Sequence, residues 1–520
     1  MSSVTEVRVR RCDCARVLEL DGVTTPAPFL HLPRIESLRR LDRSLGELAS
    51  ELLSLADDGC VRLSPEPAGE WSPERPARDG PVVHHHLERA PEPEALAGLV
   101  RRVREDGTIR AVTVRDPEWI PLLYYLGFDL FDALLCVRLA LRGELLLEDF
   151  SAERRDGDPV ELLRENWERF RSSLRRLERL LRSGGLRELV ESVAARHPRV
   201  AEALRVCDRE GVLVRHVNLA RDTEIRCSTD LSFDRPEVSE WVRRVARYRP
   251  PSWAEVFVLL PCTARKPYSR SPLHRRVSKV TGEFPVDELV ITSPLGIVPR
   301  ALERTFPAAH YDVRVTGEWT REEIERAARL VEEIVPESSI LVCHAHGGYR
   351  LVGEELEERG FEVVFTCGRE ESPASRRALR RLREELEGLL GRGGGDLSEH
   401  VPRAVSLFQF GVDVLEGREY RFDGQHVRSE EGDRWFTVVP TTGLLALSEE
   451  GARVCLKAGV EPVRVEGGEV VVPEDARPGL HWPAVVDGEV RPCRVLARPE
   501  DAPPGAGVIE LRSRGAPQII

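Results

Sequence analysis

The chain has 520 residues, 41% hydrophobic and 32% charged, with a formal net charge of −12. That length accommodates roughly three or four domains at about 100–200 residues each, and no apolar run approaches the ~20 residues of a bilayer-spanning helix, so a membrane protein is not expected. The 11 cysteines are scattered, with no CxxC pair and only Cys12-Asp-Cys14 close together, which points to reduced thiols rather than a disulfide frame.

A charged N-terminus without an apolar signal region gives a cytoplasmic expectation. The net acidity opposes a polyanionic partner, yet a local basic face suffices for one. Three arginine groups qualify: Arg171, Arg175, Arg176, Arg179 and Arg182; Arg243, Arg244, Arg247 and Arg249; and Arg376, Arg377, Arg380, Arg381 and Arg383. Each also fits an ordinary solvated helix face.

In chain order, the first ~150 residues alternate apolar clusters with Pro-rich breaks, and residues 64–81 and 90–94 read as loops. His84-His-His86 beside them reads as an exposed tract. Leu163, Trp167, Phe170, Leu174, Leu177 and Leu181 form one helical stripe that ends at Ser183-Gly-Gly185. A second helical stretch over 186–207 breaks near His197-Pro198 and resumes.

From residue 253 short apolar runs alternate with helices. Val256–Leu260, Leu289–Ile291, Ile340–Val342 and Val363–Phe365 read as strands. Thr320-Arg-Glu-Glu323 is a capping box opening a helix to Val335, and 350–359 is another helix. This alternation predicts a parallel sheet covered on both faces. Residues 392–397 read as a linker, after which the chain turns β-rich, a small barrel with one helix near 448–458.

Ligands of open α/β sheets bind outside the carboxyl ends of the strands. Three constrained polar loops fall there: Pro261–His274, Thr292–Gly296 and Cys343–Tyr349. The first carries Lys266, one of only three lysines against 73 arginines. Arginine is always charged, whereas a desolvated lysine can lose its proton, so Lys266 marks an active-site candidate. The bland readings are a buried hydrophobe for Cys262 and loop rigidity for Pro267, Pro272 and Pro294. His344 and His346 lack partners of metal-ligand spacing, so neither metal nor cofactor is expected.

Pro261, Cys262, Lys266, Pro267, Tyr268, Ser271 and His274 follow the pattern P-C-x3-K-P-Y-x2-S-x2-H. This resembles the signature of the archaeosine synthases, a family of archaeal tRNA-modifying enzymes. Ser293-Pro-Leu-Gly296, Tyr311-Asp312 and Val315-Thr-Gly317 with Trp319 resemble the same family's core. Ala15–Pro26, Gly127–Asp132 and Gly185–Asp208 resemble archaeal tRNA-guanine transglycosylases, and Thr441–Ala452 resembles a PUA RNA-binding domain.

The resemblance implies an α/β multidomain protein: a truncated, non-catalytic transglycosylase-like part over 1–230, a uracil-DNA-glycosylase-like parallel-sheet α/β core over 235–392, a connector over 398–433, and a β-rich PUA-like barrel over 434–515. The Cys-x-Cys-x2-Cys…His zinc pattern of true transglycosylases is missing.

The implied activity adds an amine to the nitrile of 7-cyano-7-deazaguanine at D-loop position 15 of tRNA, leading to the formamidine of archaeosine. The donor is free lysine, glutamine, asparagine or ammonium, and a radical SAM partner protein and a homo-oligomer are expected. Cys262, Lys266, Tyr268, Ser271 and His274 are the implied catalytic residues. Ser293, Gly296, Asp312, Thr316 and His344 are implied for substrate, and Arg434, Thr441, Gly443 and Gly451 for RNA.

Two routes are open. In one, a Cys262 thiolate held by Lys266 or His274 attacks the nitrile to give a thioimidate that the amine displaces, with Tyr268 or His274 protonating the nitrogen. In the other, the amine attacks directly, with His274 as base and Lys266 polarising the nitrile. Other readings are a non-catalytic tRNA-binding subunit, and a base-exchanging transglycosylase or a glycosylase.

Overall fold

A computed structural model describes residues 7–11, 16–20, 23–41, 43–56, 60–63, 77–79, 82–87, 91–104, 108–313, 318–502, 507–511 and 518–520. The chain divides into two units, Met1–Asn218 with Leu496–Glu510 and Ile519–Ile520, and Leu219–Val495 with Leu511–Gln518.

The second unit is built on a five-stranded sheet ordered Gly296–Pro299, Val286–Thr292, Val256–Pro261, Ile340–Cys343 and Glu362–Phe365. Its strands run parallel except Gly296–Pro299, which turns back antiparallel. The sequence patterning marks all four parallel strands. Val256–Pro261 and Val286–Thr292 are buried at every residue, as a sheet covered on both faces requires.

Val256, Val258 and Leu260 pack on one face against Val277 and Val280 of the helix Pro272–Thr281 and Leu382 and Leu386 of the helix Arg376–Leu389. The helices Arg321–Ile334 and Gly347–Glu358 pack on each other and against the strands. Thr320 and Glu323 close the expected capping box.

Beyond residue 392 the expected step straight from linker to strands is corrected. A helix, Leu397–Phe410, comes first, capped by Asp396 and ended by Gly411 at φ +74°. Both punctuation signals stand in the sequence, but Pro402 inside the helix disguises it. The following strands form two sheets. One is ordered Tyr420–Phe422, His426–Ser429, Arg434–Val438 and Leu445–Leu447. The other includes Glu469–Val471, Val463–Glu466, His481–Val486 and Glu489–Val495 in that order. The helix Glu449–Lys457 lies where it is expected.

The first unit holds a sheet ordered Val61–Leu63, Ala27–His31, Leu130–Asp132, Ile109–Val114, Val82–Leu87 and Ala77–Asp79. All its pairings are parallel except the last. The histidine tract is not exposed. His84 and His85 lie on a central strand at 1% and 5% exposure, and His84 Nε2 meets Thr113 Oγ1 at 2.8 Å. A run of three polar residues masks the strand's buried character in sequence.

The long helix is Pro159–Ser183, capped by Asp158 and ended by Gly184 at φ +79°. Leu186–Ala194 and Pro198–Arg209 are the broken second stretch, with His197 capping the resumption. No described helix is long and apolar enough to cross a membrane.

The arginine group at 243–249 does not form a free basic face. Arg243 bridges Glu240 at 2.8 Å and Asp475 at 2.7 Å, Arg244 meets Glu240 at 2.6 Å, and Arg247 meets Asp475 at 2.9 Å. Glu240 on the same helix and Asp475, distant in sequence, neutralise these three. Arg376, Arg377 and Arg380 remain exposed on their helix.

Candidate active site

The chain leaves the sheet at Pro261, and the Cys262 amide donates to the Ile291 carbonyl of the neighbouring strand at 3.1 Å. Ser271 then caps the helix Pro272–Thr281, its hydroxyl accepting from the His274 amide at 3.2 Å. A serine followed by proline at the first helical position is a standard helix start, and it turns the His274 ring back under the strand.

His274 is fully buried. Its Nε2 meets the Pro261 carbonyl at 3.1 Å and its Nδ1 meets Arg300 Nη2 at 2.7 Å. Arginine only donates, so Nδ1 accepts and Nε2–H donates: the ring is the neutral Nε2–H tautomer with both nitrogens engaged. Burial, reinforced by the Arg300 cation, pushes the imidazole down to about 4. Arg300 also holds Glu288 at 2.6 Å and Glu303 at 2.7 Å, and Glu303 accepts from the Ser269 amide at 2.9 Å. This buried network props the motif segment from behind.

On the open side Cys262 is half-buried, and its sulfur lies 3.1 Å from the Tyr349 hydroxyl. Tyr349 stands in the first turn of the helix Gly347–Glu358, its ring edge-on to Trp319 at 5.0 Å. A Cβ on Gly348 would lie 2.0 Å from the Trp319 ring, so the glycine permits that approach. Burial, then the Cys262 sulfur, push the Tyr349 phenol well above its usual value, which keeps its proton in place for donation.

Lys266 Nζ lies 3.9 Å from the centre of the Tyr311 ring. Burial lowers its ammonium, against the opposing influence of Cys262, Asp312 and Glu224. The Tyr311 hydroxyl bonds both Tyr268 and Thr292. Tyr268 is fully buried, and burial pushes its phenol well up. The motif thus divides: Cys262 and Lys266 face the opening, while Tyr268, Ser271 and His274 form its foundation.

The remaining expected residues scatter more widely. Ser293 donates to Glu323 at 2.5 Å. Gly296, at φ +79°, lacks a Cβ that would lie 2.7 Å from Leu330, so it serves helix packing. Asp312 is exposed and accepts from the Val313 amide at 3.0 Å. Thr316 lies outside the described residues. Both His344 nitrogens are engaged, by Thr366 Oγ1 and the Pro373 carbonyl at 2.8 Å each.

Thr441 borders a cavity with Lys266, and Gly443 seats its turn on the Arg304 backbone. Gly451 brings its helix onto the Trp435 carbonyl, while Arg434 is exposed at a strand start. Among the described residues no group of three His, Cys, Asp or Glu side chains is arranged to hold a metal ion.

Sequence reasoning passed over Tyr349 and Arg300. Tyr349 closes the third strand-end loop, so its position was a signal. Nothing local marks Arg300 among 73 arginines.

Residues 238–386 match a family described only as a domain of unknown function, DUF5591. Archaeosine synthase subunit alpha of Methanosarcina acetivorans is 32% identical over 451 residues, 77% of this chain and 70% of that protein. Archaeosine synthase of Haloferax volcanii is 29% identical over 409 residues, 70% of this chain and 69% of that protein. Among solved structures, that of AF0587, a protein of unknown function, aligns at a TM-score of 0.42 with 25% identity, covering 53% of this chain and 98% of that one. With its identity to the Methanosarcina protein sustained along most of both chains, this chain belongs to the archaeosine synthase family.

Proposed function

We propose that the chain acts in archaeosine biosynthesis by adding an amine across the nitrile of 7-cyano-7-deazaguanine at D-loop position 15 of tRNA, through a thioimidate on Cys262. The observation that carries this reading is the Cys262–Tyr349 contact at 3.1 Å, at the carboxyl end of the sheet and in the electrostatic reach of Lys266.

The Cys262 proton passes to Lys266, whose burial favours the neutral amine that can take it. The thiolate bonds to the nitrile carbon, and the nitrile nitrogen takes a proton from Tyr349, which Lys266 then replaces. The donor amine adds to the thioimidate carbon, the carbon–sulfur bond breaks, and the amine's surplus proton returns to sulfur. The net change is one N–H added across the triple bond, with no atom lost. Direct attack using His274 as base is disfavoured, since both its nitrogens are engaged.

In this reading the transglycosylase-like and PUA-like segments serve tRNA binding, and the donor is free lysine, glutamine or ammonium. The test is nucleoside mass after incubation of tRNA carrying the cyano base with each donor separately. A gain of a whole lysine makes the chain a synthase that hands its adduct to a radical SAM partner. A gain of ammonia alone makes it a self-sufficient amidinotransferase. No change with any donor, despite tRNA binding, defeats the catalytic reading. A Cys262→Ala enzyme retaining more than about a tenth of the rate, roughly 1.4 kcal/mol in barrier, defeats the covalent route.

A further inference from the structure

A cavity of 270 Å³ opens beside Lys266, lined also by Arg270, Arg304, His310, Asp222 and Thr441. Two arginine side chains thus converge with Lys266 on a concavity that also contains one carboxylate. The clustered Arg243, Arg244 and Arg247 are by contrast neutralised, by Glu240 and Asp475. The side chains of Arg270 and Arg304 are exposed and take part in no hydrogen bond or ion pair among the described residues. The two guanidinium groups, bridged by no carboxylate, repel each other, and an oxyanion placed between them relieves the repulsion.

Two further features suit an oxygen-rich ligand. The Nδ1 of His310 is buried without a partner, and the Thr441 hydroxyl stands on the opposite rim. That rim is held close because Gly443 lacks the Cβ that would lie 2.7 Å from the Arg304 backbone. Two unpaired guanidinium groups against the single carboxylate of Asp222 favour a purely anionic ligand over a zwitterionic amino acid.

We infer that this cavity is a phosphodiester site that grips the tRNA backbone next to the reacting base, between the motif segment on one side and the Pro440–Gly443 turn on the other. The inference rests on the reading of tRNA as substrate and is independent of the chemistry at Cys262.

The experiment is equilibrium binding of an unmodified tRNA transcript to the full chain across a salt series, with no donor present. Arg270→Gln combined with Arg304→Gln should weaken binding at least about tenfold and flatten the slope of log K against log salt by about 0.7–0.9, the amount that one lost phosphate contact removes. Asp222→Asn should tighten binding, and Thr441→Glu should weaken it. All four side chains line the cavity rather than the core, and circular dichroism checks that each variant is folded.

Unchanged affinity and slope in the double variant overturn the inference. So does unchanged tRNA affinity with a raised KM for the amine donor, which assigns the cavity to the donor's carboxylate. Wild-type chain that fails to bind tRNA sinks the substrate reading itself, whereas wild-type binding that the variants leave intact sinks only the cavity.

Discussion

The Tyr349 hydroxyl lies 3.1 Å from the Cys262 sulfur although the two residues are 87 positions apart. One directly follows the strand Val256–Pro261 and the other stands in the first turn of the helix after Ile340–Cys343, so the parallel register of those strands brings a thiol and a phenol to one edge of the sheet. Burial keeps the phenol protonated, which gives the pair a proton donor beside a nucleophile.

Tyr349→Phe removes that donor while retaining the ring against Trp319. Turnover should fall about 10²–10⁴-fold, the usual range for a lost general acid, with little change in the urea midpoint. Single-turnover rates and a denaturation curve check both. A variant within a factor of about three of wild type would return the acid role to another group.

Lys266→Arg keeps the charge and discards the ability to lose a proton. If Lys266 takes the Cys262 proton, the arginine enzyme should be no faster than Lys266→Gln, because a guanidinium does not deprotonate in proteins. Alkylation of Cys262 by iodoacetamide, followed against pH, reports the thiol without requiring turnover. Full activity in Lys266→Arg would instead support a role for charge alone.

Arg300→Met leaves Glu288 and Glu303 facing each other in the interior and removes the donor to His274 Nδ1. Breaking a buried ion pair by deleting one partner costs about 3–5 kcal/mol, so the variant should unfold at markedly lower urea. The double replacement of Glu288 by Gln and Arg300 by Met should recover part of that loss.

Stability should fall on acidification below neutrality. His274, His344 and His400 are each pushed down to about 4 by burial. Each therefore contributes stability that is complete above the unfolded value near 6.5 and is lost as pH falls through about 4. Asp287 acts in the opposite sense: burial raises it to about 7, so its contribution is lost as pH rises through that value. Urea midpoints at about pH 6.5 and about pH 4.5 should show a net loss in the wild type, smaller in His274→Gln and larger in Asp287→Asn. Equal losses in all three proteins would contradict this assignment.

Local signals carried far in this chain. The four parallel strands, the Thr320 capping box and the helix ended by Gly184 are all read from spacing of apolar residues and from caps, which depend on a few neighbouring positions. The helix Leu397–Phe410 and the buried strand Val82–Leu87 escaped because Pro402 and three consecutive histidines run against their elements' usual composition. Tertiary packing outweighs propensity at both places.

By itself the sequence determined the parallel sheet, the loops at its carboxyl edge, and Cys262 and Lys266 as residues placed there. Only the tertiary structure decided how the motif divides: Tyr268, Ser271 and His274 turn inward to a buried hydrogen-bonded foundation, while Tyr349 and Arg304, from outside the motif, join the open side. The reason is physical. Spacing along a strand or helix sets where a residue stands on its own element, but the partner that a side chain meets is set by register and packing between elements far apart in the chain.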